Sequence, residues 1–200
     1  MLGWYPFTGN DYEPCLNRKG KKRPYNILVA DGKSLHAFEK MGETQKVSDK
    51  TRGSISRYTC LLYGKKDATK CVNEMRMKML EAKLPKKENK LKKLKSFDPA
   101  TLPPCKNVLD QKINRSNYIA YMYKNSYKRK LVLWDPLAHG YVVENEMLQP
   151  LWFTGDRVPD ELYLPDEEED DKDDEDDEDD DEENGENGES SDDSDSDDDN

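Results

Sequence analysis

The chain has 200 residues, with 32 Lys+Arg against 43 Asp+Glu, a net charge of -11 and 34% hydrophobic residues. That charge is divided unevenly: residues 166–200 hold 25 acids and one base, Lys172, while residues 1–165 hold 18 acids and 31 bases. The composition argues against a membrane-spanning helix, because the apolar runs are only a few residues long. It also argues against a zinc framework, because Cys15, Cys60, Cys71 and Cys105 include no closely spaced pair.

All the large apolar residues fall in the first 165 positions, enough for one modest core. The expected fold class is mainly α with a small C-terminal β-hairpin (α+β), followed by a disordered acidic tail. Residues 166–200 contain no apolar group whose burial could offset the entropy of ordering. The start, Met1-Leu-Gly-Trp-Tyr-Pro-Phe, lacks the basic segment and long apolar run of a secretion leader. Reduced cysteines in a nuclear or cytoplasmic, non-secreted protein are expected.

In chain order, the first forty residues read as a loop followed by short helices. Pro24 suits the first turn of a helix through Tyr25, Ile27, Leu28 and Val29. A second segment, Lys33 to Met41, sets Leu35 and Phe38 on one face and stops at Gly42. From Ser48 to Tyr63, Ile55, Tyr58 and Leu62 recur at helical spacing before Gly64. Val72, Met75, Met79 and Leu80 predict another amphipathic helix over 69–84, with Pro85 just beyond. The six lysines between Lys86 and Lys95 read as a solvated linker.

Pro103-Pro104 then opens the longest predicted helix, Cys105 to Tyr127, with Val108, Leu109, Ile113, Ala120 and Tyr121 for packing. Its second half interleaves Tyr118, Tyr121, Tyr123 and Tyr127 with Arg115, Lys124, Lys128 and Arg129. Two roles are open for those tyrosines: stacking platforms for bases, with lysines tracking phosphates, or core packing. The period then changes from helix to strand. Gly140-Tyr-Val-Val and the run from Met147 flank Glu144-Asn145-Glu146 as a hairpin, with Pro150 marking the second strand as an edge. Trp134 and Trp152 are expected to cap a small satellite core. These elements divide as a helix-turn-helix segment at 1–46, a helical region at 47–130, a hairpin module at 131–165 and the tail.

One stretch carries a chemical signal. Arg18-Lys19-Gly20-Lys21-Lys22-Arg23 places five bases in six positions around a glycine, which admits the close backbone approach that a phosphate requires. Phosphate binding, a nuclear targeting signal and a solvated loop are all compatible with it. Together with Gly9-Asn10-Asp11-Tyr12, Leu16 and Ile27-Leu28, this stretch resembles the end of the catalytic domain of flap endonuclease/XPG-type (PIN-like) nucleases. In that family a Gly-Ser-Asp-Tyr turn precedes, at the same spacing, a glycine-rich Lys-Arg loop between two helices. The resemblance implies a metal-ligand position at Asp11 and phosphate-facing positions at Gly20, Lys22 and Arg23. Arg18 replaces the loop's first glycine, Lys21 a usual proline, and Pro24 a small helix residue.

Two-metal cleavage needs several carboxylates converging on ions roughly 4 Å apart. The family supplies most of them from strands before this point, so Asp11, even with Asp31 or Glu13, falls short. The chain is accordingly expected to be a C-terminal portion or remnant of a nuclease-like protein, with Mg2+ as cofactor only if the missing strands are supplied. Leu102-Pro-Pro-Cys105, Arg115-Ser-Asn-Tyr118 and the Gly140…Trp152…Gly155 pattern also resemble uncharacterised animal proteins derived from mobile elements.

The expected function is non-catalytic binding of nucleic-acid phosphates through the basic loop and helix. The alternative is an interaction protein whose acidic tail binds basic partners such as histones; a metal-dependent nuclease is the third. Ser190, Ser194 and Ser196 each have an acid three residues on, a pattern suited to acidophilic kinases. Phosphate there would add about -1.5 to -2 charge per site. A tethered polyanion competes for the basic residues at an effective concentration on the order of millimolar. Ending the chain at Leu164 is therefore expected to raise DNA affinity at low salt. The gain should fade toward 0.15 M, where the Debye length is about 8 Å. Equal binding by the short and full chains at low salt would give the tail another role.

Overall fold

The computed structural model describes residues 1–64, 71–83 and 97–155. The acidic tail, with Ser190, Ser194 and Ser196, and the lysine-rich stretch 86–95 lie outside the described residues. The described part is mainly helical, with a two-stranded antiparallel hairpin near its C-terminal end, as the sequence predicts.

Among the described residues six α-helices appear in chain order: α1 Trp4–Phe7, α2 Lys22–Ala30, α3 Gly32–Lys40, α4 Asp49–Tyr63, α5 Val72–Glu81 and α6 Lys106–Lys124. Helix α1, a single turn, falls where the sequence reads as a loop. Short 3-10 turns follow at Pro99–Thr101 and Pro136–His139. Ser48 caps α4, its hydroxyl accepting from the Thr51 amide at 3.3 Å and so satisfying one of the unpaired first-turn donors. Helix α6 ends at Lys124, three residues before the predicted Tyr127. Asn125 turns its side-chain amide back to donate to the Tyr121 carbonyl at 2.8 Å.

Residues from the predicted 1–46 and 47–130 segments share one core, so these are not separate folding units. Phe7, Leu28, Phe38, Ile55, Tyr58, Leu62, Leu109 and Ile113 are all buried in the same cluster. At its centre the rings of Phe7, Phe38 and Tyr58 meet with centroids 5.1–6.3 Å apart in tilted and edge-on arrangements, which suit the ring quadrupoles. Tyr58 also solves a polar problem. Its hydroxyl accepts from Trp4 Nε1 and donates to the Pro24 carbonyl, both at 2.8 Å, tying α1, α2 and α4 together. Burial pushes the Tyr58 phenol well above its ordinary pKa, so it stays neutral there.

The turn after α3 presses against α6. Gly42 adopts φ +78°, and a β-carbon there would lie 2.6 Å from the Tyr121 amide nitrogen. Its own amide donates to Asn117 Oδ1 at 2.7 Å, and Asn117 Nδ2 donates to the Thr44 and Gln45 carbonyls. On the same side, His139 contacts the Asp135 and Gln45 carbonyls through its two ring nitrogens.

The hairpin comprises β1 Tyr141–Glu144 and β2 Met147–Pro150, with Tyr141 opposite Pro150 and Glu144 opposite Met147. The turn is narrower than the sequence suggests: Glu144 belongs to β1, and Asn145-Glu146 alone make the connection. Both have positive φ, 52° and 62°, as a two-residue turn matched to strand twist requires. Trp134 does take part in a satellite cluster, stacking on Tyr121 at 3.8 Å and facing His139 at 5.2 Å. Trp152 instead lies over the Arg115 guanidinium.

Two glycines in opposite situations give a test. Gly42→Ala should lower stability by more than about 1 kcal/mol, because positive φ and the α6 backbone both resist a side chain. A β-carbon added at Gly53, inside α4, would have nothing within 4 Å of it, so Gly53→Ala should raise stability by roughly 0.5–1 kcal/mol. Urea denaturation of the two variants checks both signs.

Candidate nucleic-acid interface

Residues 9–15 form a tight turn before the basic loop. Gly9 has φ +104°, and Asn10 organises the rest of the turn: its Oδ1 accepts from the amides of Tyr12 (3.0 Å) and Glu13 (2.8 Å), while its Nδ2 donates to the Tyr123 hydroxyl. The turn leaves Asp11 and Tyr12 exposed and drives Glu13 inward.

Glu13 is only 1% exposed, an arrangement that demands partners. It has two, both from α6. Arg115 Nε donates to one carboxylate oxygen, and Lys112 Nζ lies 3.3 Å from the other. Lys112 also donates to the Pro14 carbonyl at 2.6 Å, and Arg115 to the Leu151 carbonyl at 2.5 Å and the Gly140 carbonyl at 3.4 Å. Burial lowers the Lys112 pKa, and the Glu13 charge opposes that shift.

This network revises the sequence-based site. Arg115, expected to face nucleic acid, is 1% exposed and committed to Glu13 and two carbonyls, so it is removed from the candidate interface. Lys124 is also occupied: its Nζ donates to the Glu39 carbonyl at 2.6 Å and lies 3.4 Å from Glu43, capping the end of α3. Lys128 and Arg129 remain exposed just past the end of α6. Of the tyrosines, Tyr118 is buried and Tyr121 stacks on Trp134, whereas Tyr127 is exposed.

The loop's cations divide by what they do. Lys21 Nζ donates to the Gly9 carbonyl at 2.6 Å and lies 3.9 Å from the Tyr5 ring centroid, fastening the loop to the end of α1. Lys19 Nζ sits 4.2 Å over the Tyr63 ring, and burial, then the Arg23 charge, lowers its pKa. Arg18 adopts φ +54° and approaches Asp98 at 3.8 Å through exposed side chains. Lys22 and Arg23 are exposed at the start of α2, with no ion pair among the described residues. Helix α2 has no side-chain cap and no acidic residue in its first turn, so its positive end is left to solvent and to these two bases. A β-carbon added at Gly20 would meet nothing within 4 Å, so the fold itself does not require glycine there.

Sequence reasoning missed three aromatic residues around this loop: Tyr5, Tyr12 and Tyr25 are 47%, 68% and 42% exposed. The close run of tyrosines on either side of 18–23 was the available signal.

The residues present do not fit the metal that the nuclease resemblance implies. Asp11 is exposed, Glu13 is neutralised by Lys112 and Arg115, and Asp31 is engaged by Ser34 and Arg57. Burial pushes the Asp31 carboxyl up, but hydrogen bonds from Ser34 and Arg57 and the Arg57 charge hold it below the usual range. Among the described residues no three His, Cys, Asp or Glu side chains come together as a metal site. No chemical step through a metal follows from this arrangement. Nor is any helix among the described residues long and apolar enough to cross a membrane.

Comparison of the chain with family models, curated proteins and solved structures gives no match.

Two neighbouring carboxylates should therefore behave differently. Glu13→Ala strands two buried cations and should cost about 3–5 kcal/mol. Asp11→Ala should change stability by less than about 0.5 kcal/mol. Similar losses for the two, measured by chemical denaturation, would contradict this division of roles.

Proposed function

We propose that this protein is a non-catalytic nucleic-acid-binding module, built on a nuclease-like turn, that holds phosphates at residues 18–23. One observation carries the reading: Arg18, Lys22 and Arg23 project from a loop fastened by Lys21, beside the uncapped positive end of α2 and an open backbone at Gly20. A phosphate there would meet exposed cations and backbone amides together. Tyr5, Tyr12 and Tyr25 add exposed aromatic faces, on which bases stack without sequence preference. Lys19 and Lys21 belong to this site as supports, because their ammonium groups already rest on tyrosine rings.

The non-catalytic part of the reading rests on Glu13 being spent in the fold. Magnesium-dependent cleavage of a flap or nicked duplex by the full chain, abolished by Asp11→Ala, would overturn that part alone. A second reading, in which residues 166–200 engage basic partners such as histones, is favoured by the 25 acids of that segment and is compatible with the first.

The binding reading has a direct test. Replacing Arg18, Lys22 and Arg23 with Ala should weaken binding to any duplex about equally. It should also reduce the slope of log affinity against log salt by roughly 0.9 per lost phosphate contact. Circular dichroism should show an unchanged fold, because these side chains make no buried contact. An unchanged slope would remove the loop from the interface.

A further inference from the structure

A groove between α3 and α4, with a volume of about 540 Å³, lies outside the loop site. The two helices run antiparallel: Asp31, at the start of α3, pairs with Arg57 at 2.6 Å late in α4, whereas Lys40 shares the groove with Ser48 at the start of α4. Lys33, His36 and Lys40 line it from α3, Lys50 from α4, and no carboxylate lines it. Ala37, which is buried, and Gly32, which is exposed and lacks a side chain, leave the α3 wall low, and a β-carbon at Gly32 would meet nothing within 4 Å. The opposite wall carries the hydroxyls of Thr51 and Ser54.

Charge pairing separates these cations. Lys40 lies 3.1 Å from Glu43, and His36 Nδ1 lies 3.8 Å from Glu39, so each has an acid beside it. Lys33 and Lys50 are exposed and make no ion pair among the described residues. Two ammonium groups bordering one concave surface raise the local potential for an anion and give it hydrogen-bond donors on arrival. Lys33 and Lys40 are seven residues apart on one helix, about 10 Å along its axis. A single phosphate cannot reach both ends; a run of consecutive phosphates can.

The geometry points to a second anion site in this groove, which binds a chain of linked phosphates between Lys33 at one end and Lys40 with Lys50 at the other. The site goes beyond the loop reading and stands without it. The same chemistry is offered by a free polyphosphate, as in a nucleoside triphosphate, and by successive phosphates of a nucleic-acid strand.

Residue-resolved amide NMR of the full chain, titrated with tripolyphosphate and separately with a short DNA duplex, tests the inference. Tripolyphosphate is expected to shift the amides of Lys33, Lys50 and Ser54. Lys33→Ala with Lys50→Ala should weaken that binding about tenfold or more, since both contacts are charge-assisted. The double variant should keep the wild-type fold, because neither side chain pairs with another described residue. Lys22→Ala with Arg23→Ala should leave the tripolyphosphate shifts of the groove amides unchanged, whatever it does to those of the loop, which separates failure of the loop reading from failure of this one. Groove shifts with tripolyphosphate alone identify a small polyphosphate as the ligand; groove shifts with the duplex identify a strand backbone. If neither probe shifts the groove, or if the shifts survive loss of Lys33 and Lys50, the site does not exist.

Discussion

A carboxylate without solvent is the constraint on which the described structure depends. Burying Glu13 alone would be expensive enough to expel it from the fold. It is retained because α6 delivers two cations to it, Lys112 and Arg115, one helical turn apart. The cations are buried as well; Lys112 also donates to the Pro14 carbonyl, and Arg115 Nη1 to the Gly140 and Leu151 carbonyls. Three segments distant in sequence thus meet at one point: the turn at 9–15, the middle of α6 and the base of the hairpin. Gly140 is part of the same arrangement. Its φ of +82° and its missing side chain give Arg115 room, since a β-carbon would stand 3.0 Å from Arg115 Cγ. Trp152 closes the outside, its ring centroid 4.8 Å from the guanidinium. Such a cluster adds little net stability over an apolar one, but it is intolerant of losing a single member.

The same cluster bears on function by deciding which charges are left over. Glu13 is taken by the fold, so it is not available beside Asp11, the position to which the nuclease resemblance assigns a metal ligand. Arg115 and Lys124, abundant-looking cations in a basic helix, are taken in the same way. At the loop the outward-facing set is Arg18, Lys22 and Arg23, held in place because residues 13 and 14 are pinned to α6 and Lys21 is pinned to Gly9. The positive surface of this protein is thus selected by the interior.

Legibility in the sequence divides along the same line. Helical period and stop signals located α2, α3, α4 and α6 to within a few residues, because Ile55, Tyr58 and Leu62, or Phe38 before Gly42, have no other efficient way to be buried. The hairpin was legible for a similar reason: Asn145 tolerates positive φ. Charged residues offered no such guidance, because a run of bases does not state which way each one points. One signal was present and passed over: Lys112 falls on the stripe of Leu109, Ile113, Ser116 and Ala120, all buried in α6. A base on an apolar stripe requires an acid from elsewhere, and Glu13 is the acid that the Asn10 turn directs inward. The end of α6 was misjudged because Tyr127 and the bases around it continue a helical composition, whereas Asn125 ends the helix locally through its own side chain.

The joining role of Glu13 predicts a local consequence that can be measured without any ligand. Amide hydrogen exchange should be compared between the wild type and Glu13→Gln, which keeps the shape and removes the charge. The hairpin amides from Tyr141 to Leu151 and those of residues 9–15 should exchange markedly faster in the variant. Those in the middle of α4, around Ile55 and Tyr58, should keep their protection relative to the global stability. Hairpin protection that falls only in proportion to α4, or does not fall at all, would show that Glu13 does not join these segments and would contradict the account.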